Sequence, residues 1–220
     1  MVLQDVYELL ASRVFTIPST RVVFNPYHDE DTELDLPGAS AVRRQNAERW
    51  LGSYSERPRV LVIGKAPSGR GFRFSGIPFA SERQLTEAWF PVRGCLPASQ
   101  RSATGSPMTS PHDTRFWNVM RGYLAPEYPR FLAWNCVPLH LPGSGWRARG
   151  PSKQELSWFT RIAGSLVELL SPSEVIALGA VTEQALHEIG VSCRRVHSVS
   201  NDFQQQFRAG ICAVFERLRR

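Results

Sequence analysis

The chain has 220 residues, 42% of them hydrophobic and 21% charged, with 16 glycines and 16 prolines. That composition excludes a disordered, collagen-like or coiled-coil chain, and the length is that of one domain or at most two, large enough to fold without staples. Twenty-six basic residues stand against 20 acidic ones, a net charge of +6 that favours a polyanionic partner such as nucleic acid.

In chain order, residues 5–14 are weakly helical, and the acids near the N-terminus are unlike the basic start of a signal peptide. Residues 15–40 are irregular, and residues 41–51 form a basic amphipathic helix. The first clear strand is Arg59-Val-Leu-Val-Ile-Gly64, a continuous apolar run of the kind buried in parallel sheets. A Gly/Pro/Ser loop follows over residues 65–79. Strands are also expected at residues 130–134 and 174–178, with a short fourth at 193–196. A helix begins with the capping box Ser152-Lys-Gln-Glu155 and runs to about residue 170, and another spans residues 204–218. Strands alternating with helices imply a parallel sheet covered on both faces, with ligands at loops leaving the carboxyl ends of the strands. No apolar stretch reaches the roughly 18 residues that cross a bilayer, so no membrane partner is expected.

The four cysteines, Cys95, Cys136, Cys193 and Cys212, include no C-x-x-C pair and no histidine at zinc-finger spacing. The expectation is reduced, buried thiols in a cytoplasmic protein without a metal, nucleoid-associated in a prokaryote. Gly64-Lys-Ala-Pro-Ser-Gly-Arg-Gly71 fails as a P-loop because Arg70 and Gly71 stand where Lys and Ser/Thr belong. It fails as a dinucleotide loop because Phe74 takes the third glycine position. Asn135, ending an apolar strand, either caps the turn or offers a donor and an acceptor to a base edge. His197 follows the fourth strand and is either a surface or satisfied core histidine or a functional polar group at a strand's carboxyl end. The tryptophans read as core, with Trp146, set between Gly and Arg, as the exception.

Three segments together resemble the uracil-DNA glycosylase superfamily. Gly64-Lys-Ala-Pro-Ser-Gly-Arg-Gly-Phe-Arg-Phe-Ser-Gly-Ile-Pro-Phe-Ala-Ser-Glu82 is similar to its first motif, with a T-G-x-P-F-like stretch. Trp134-Asn-Cys-Val-Pro-Leu-His140 is similar to W-N-x-x-P-x-H, and Val196-His-Ser-Val-Ser200 looks like H-P-S. The resemblance implies one domain over residues 1–220, a three-layer α/β/α sandwich with a four-stranded parallel sheet, acting as a monomer on DNA that contains uracil or another deaminated base. The base must leave the stack before its glycosidic bond can be reached.

Carried over by motif, Phe79 stacks on the flipped base and Asn135 holds its edge, with Gly64, Ala66 and Pro67 around it. His197 stabilises the charge developing on O2. Ser68, Arg70, Arg73, Ser198, Ser200 and Asn201 meet the DNA. Lys65 stands where one branch of the family has a water-activating Glu, and is expected to contact phosphate within the catalytic set. Glu82 matches an acid of another branch and is assigned the water or the cationic sugar. Ser198 replaces the family's proline. The branch with an iron–sulfur cluster has an N-terminal cysteine pair that this chain lacks, so no cofactor is expected. The alternative is a lesion-binding protein that keeps the base pocket without catalysis.

Overall fold

A computed structural model describes residues 1–200 and 202–219. The chain divides into two units, one from Met1–Ser55, Ala66–Thr114 and Pro138–Gly150, the other from Glu56–Lys65, Arg115–Val137 and Pro151–Arg220.

The first unit is built of loops and helices. Gln4–Arg13 (α1) and Ala39–Gly52 (α2) are its longer helices, and three single-turn helices follow at Phe72–Ser75 (α3), Glu82–Leu85 (α4) and Gln100–Ala103 (α5). The expected loop over residues 65–79 is therefore interrupted by α3. The basic amphipathic helix expected over residues 41–51 is present as α2, but two of its polar residues point inward. Arg43 is fully buried, pairs with Asp35 and donates to the Pro26 carbonyl at 3.0 Å. Asn46 donates to the carbonyls of Ser75 and Leu96 at 2.9 and 2.7 Å and accepts from Leu96 N–H at 2.9 Å. Irregular segments have no ladder to satisfy their backbone groups, so buried side chains do it.

The second unit carries the sheet. Val60–Gly64 (β1) and Phe131–Asn135 (β2) are buried at every position, and Glu174–Leu178 (β3) at all but its first. Runs with no polar alternation cannot turn one face to water. With Arg194–Val196 (β4) they form an all-parallel sheet in the order β2-β1-β3-β4. Between β1 and β2 comes Pro111–Met120 (α6), whose first turn belongs to the other unit. Lys153–Leu170 (α7) joins β2 to β3, Ala180–His187 (α8) joins β3 to β4, and Gln204–Arg217 (α9) closes the chain.

Right-handed crossovers carry a helix to one face when the chain moves left along the sheet and to the other when it moves right. The step from β1 to β2 runs opposite to those from β2 to β3 and from β3 to β4, so α6 lies on one face and α7 and α8 on the other. Phe207 of α9 stacks on Phe116 of α6 with centroids 6.1 Å apart, which puts α9 on the α6 side. The result is the expected α/β/α sandwich. β4 keeps an exposed edge charged: Arg194 meets Glu174 at 2.9 Å and Arg195 meets Glu183 at 3.1 Å.

Candidate functional site

At the carboxyl ends of the strands, Gly64 and Asn135 close β1 and β2 in register. Beyond them Cys136 N–H reaches the Gly64 carbonyl at 2.8 Å and Val137 N–H the Lys65 carbonyl at 3.1 Å. Asn135 is 3% exposed, and its Oδ1 is buried without a donor among the described residues. An amide that capped the turn would have used this oxygen; a buried acceptor left open costs roughly 1–3 kcal/mol. Lys65, one residue past β1, is exposed.

His197 follows β4 directly and is exposed, its ring stacked on Phe203 with centroids 4.9 Å apart and planes at 30°. Phe203 is itself 42% exposed. Ser198, in the proline position, accepts from Ser200 N–H at 2.8 Å through its carbonyl, so the turn closes without a proline ring. Val199 between them is buried, and Ser200 Oγ is buried without a partner among the described residues. Asn201 lies outside the described residues.

In the loop-built unit, Ala66, Ser68 and Arg70 are half-buried and Pro67 is buried. The turn after α3 is tightly made. Gly76 has φ +72°, its N–H donates to the Phe72 carbonyl at 2.8 Å, and a Cβ there would lie 2.6 Å from the Arg43 carbonyl oxygen. Ser75 Oγ donates to the Ala80 carbonyl at 2.6 Å. Within this turn Phe79 has φ +58°, the left-handed region that costs an L-residue about 1–3 kcal/mol and that concentrates at functional sites. Its ring is nearly buried and stacks on His112, centroids 5.7 Å apart and planes at 27°.

Two assignments change. Glu82, expected at the reacting sugar or water, is fully buried. Its Oε1 accepts from the N–H groups of Ala98 and Ser99, both at 2.7 Å. Its Oε2 accepts from Ser99 Oγ at 2.5 Å, Ser102 Oγ at 2.7 Å and Met108 N–H at 2.9 Å. Five donors fill the carboxylate, which pins the segment from Ala98 to Met108 and faces no solvent. Arg73, expected on DNA, is 8% exposed; its guanidinium lies 4.6 Å from the Phe24 ring and 5.1 Å from the Phe74 ring and bonds Asp31 at 2.5 Å. It is a core cation. Arg70 makes no ion pair among the described residues.

The carboxylate that does line the loop after β1 is Asp113, in the first turn of α6. Ser68 Oγ donates to it at 3.3 and 3.4 Å and lies 2.9 Å from Ser110 Oγ, while His112 Nδ1 bonds Oδ1 at 3.1 Å. A Cβ on Gly71 would stand 1.7 Å from Asp113 Oδ2, so only glycine lets the loop pass. From sequence, His112 has no context. The available signal is Ser110-Pro-His-Asp113, a helix start with Ser as cap and Pro first; Asp113 N–H does donate to Ser110 Oγ at 3.2 Å.

His140 is buried, with Nδ1 unpartnered among the described residues, and burial followed by the nearby Arg73 charge pushes its pKa down to about 4. Cys136 is buried and its thiol is pushed up to about 11 by burial, whereas Cys95 and Cys193 are half-buried and Cys212 is exposed, against the expectation of buried thiols. An open groove of about 770 Å³ lies at the amino ends of β3 and β4, lined by Glu174, Cys193 and Arg194 among others, away from Asn135 and His197. No group of three or more His, Cys, Asp or Glu suited to a metal occurs among the described residues.

A family model described as the uracil DNA glycosylase superfamily matches residues 51–215. Among solved structures, the chain is similar to wild-type SMUG2 of Pedobacter heparinus, with 14% identity, a TM-score of 0.62 and 97% of each chain covered; that likeness concerns the fold. A search of curated proteins gave no match.

Proposed function

The chain belongs to the uracil DNA glycosylase superfamily, and from that membership we propose that it hydrolyses the glycosidic bond of uracil, or of a related deaminated base, in DNA. The observation that carries the reading is the buried, donorless Oδ1 of Asn135 at the end of β2. A flipped uracil supplies what this oxygen lacks: its N3–H donates to Oδ1 while its O4 accepts from the amide nitrogen. Cytosine reverses both polarities, setting acceptor against acceptor and donor against donor, which leaves buried groups unpaired. Phe79, stacked on His112, is the aromatic residue that the family motif assigns to the base. His197, exposed at the end of β4, donates to the base O2 as the bond breaks and negative charge builds there. Lys65 and Arg70 meet backbone phosphate.

The lesion-binder alternative is favoured by one finding, the five donors that occupy Glu82. Both readings are tested by incubating the protein with single- and double-stranded oligonucleotides carrying deoxyuridine, deoxyinosine or deoxyxanthosine, followed by alkali. Cleavage at the modified position is expected. Binding of these substrates above plain DNA without any abasic product would select the binder.

A further inference from the structure

Hydrolysis needs a group to accept a proton from the attacking water, and Glu82 is filled. The Ser68, Ser110, Asp113 and His112 cluster holds an alternative. A carboxylate can only accept, so the 3.1 Å contact to Asp113 Oδ1 places the proton of a neutral His112 on Nδ1 and leaves the Nε2 lone pair free. The His112 side chain is 34% exposed and Asp113 only 2%. Nε2 has no partner among the described residues. Asp113 is held in turn by the Ser68 hydroxyl and by the space that Gly71 leaves. A buried carboxylate that fixes the tautomer of a solvent-facing imidazole is the arrangement by which a histidine is made a directed base. The ring also lies against Phe79, the residue assigned to the base.

We propose that His112 takes the proton of the attacking water and that Asp113 is its positioning residue; the proposal rests on the glycosylase reading above. The C1′–N bond breaks with its electron pair going to the base. The water oxygen bonds to C1′, and one water proton passes to Nε2. The base anion gains a proton from solvent, and the imidazolium returns its own. One water is consumed, and free base and an abasic sugar are formed.

The test uses single-turnover excision by the full chain, with binding measured on a duplex carrying non-hydrolysable 2′-fluoro-deoxyuridine. His112→Phe keeps an aromatic ring against Phe79 and removes both nitrogens. It is expected to lower the excision rate about a hundredfold, the ordinary contribution of a general base, with binding within about threefold of wild type. Asp113→Asn is expected to lower the rate as well, yet to add nothing in the His112→Phe background, since a positioning group acts only through the base it positions. Imidazole in solution should restore part of the rate to His112→Ala. A silent His112→Phe in an active enzyme, or additive losses in the double variant, would overturn the proposal while leaving the glycosylase reading intact. A wild-type protein that excises no base would instead remove the reading itself.

Discussion

Gly64 and Asn135 are the last register pair of β1 and β2, and main-chain bonds continue on the far side of both. The amide is therefore carried by a strand that is paired before and after it, so its direction is set by the sheet. On the proposed function, a reading group held this way would discriminate by hydrogen-bond polarity, because it could not swing aside to suit the wrong base.

Asn135→Asp should cut uracil excision more than tenfold, because a carboxylate cannot donate to O4. Asn135→Ala should also lose excision, yet its thermal midpoint should not fall, since the substitution removes an acceptor that is buried and unpaired. Unchanged excision by a folded Asn135→Asp protein would remove Asn135 from base reading.

Glu82→Gln should unfold more readily rather than lose chemistry. The amide keeps one acceptor oxygen and turns two N–H groups towards donors, so part of a five-donor cluster is left unsatisfied; about 2–4 kcal/mol of stability should be lost. Denaturant unfolding measures this. The excision rate per folded molecule should stay within a few-fold of wild type.

Gly71→Ala should act on the site through Asp113. A methyl there would meet Asp113 Oδ2 at 1.7 Å and force that carboxylate aside. Excision should fall at least about tenfold. Loss of the whole fold without a change in excision rate of the remaining molecules would refute the steric link.

DNA affinity should fall with salt, log K dropping about 0.9 per log unit of salt for each phosphate neutralised. Arg70→Ala should reduce that slope by about one contact and leave base choice alone. Arg73→Ala should leave the slope unchanged and lower stability, because its charge is spent on Asp31 and two aromatic rings. Equal slopes for wild type and Arg70→Ala would remove Arg70 from the phosphate contacts.

His140 gives acid sensitivity of defined sign. Its pKa is about 4 in the folded chain against the ordinary 6.5 of a solvated histidine, so the unfolded state binds its proton first. The contribution is fully present above pH 6.5 and is lost as pH falls towards 4, on the order of 3 kcal/mol in all. Unfolding free energies at pH 7.5 and 4.5 should differ less in His140→Phe than in wild type. An identical difference would assign the acid sensitivity to other groups.

The sheet is legible because burial on both faces leaves an unbroken apolar run: β3 is found at the residues expected, and α7 closes both halves of its capping box, Ser152 N–H to Glu155 at 2.7 Å and Glu155 N–H to Ser152 at 3.2 Å. α6 is missed although Ser110-Pro111 announces it, because a Ser/Thr/Gly/Pro-rich stretch precedes it. α8 is missed because it starts straight from Gly179 with no side-chain cap. At the site, local motifs single out Asn135 and His197, whose positions depend on one strand each. The Ser68–Asp113 contact joins residues 45 apart in sequence, and no local pattern reports it. Glu82 fits a motif by register, but its occupancy is decided by where residues 98–108 fold, which spacing does not contain.

The left-handed backbone of Phe79 has a consequence for anyone raising this protein's heat resistance. The residue that best suits such a conformation is glycine, and asparagine is next. Either would relax the turn, and screens for thermostability should find them there. Both discard the aromatic face that lies on His112. Strain and ring are properties of one residue, so on the proposed function selection for robustness and selection for excision would pull this position in opposite directions, and the most heat-stable variants should include ones that no longer excise a base.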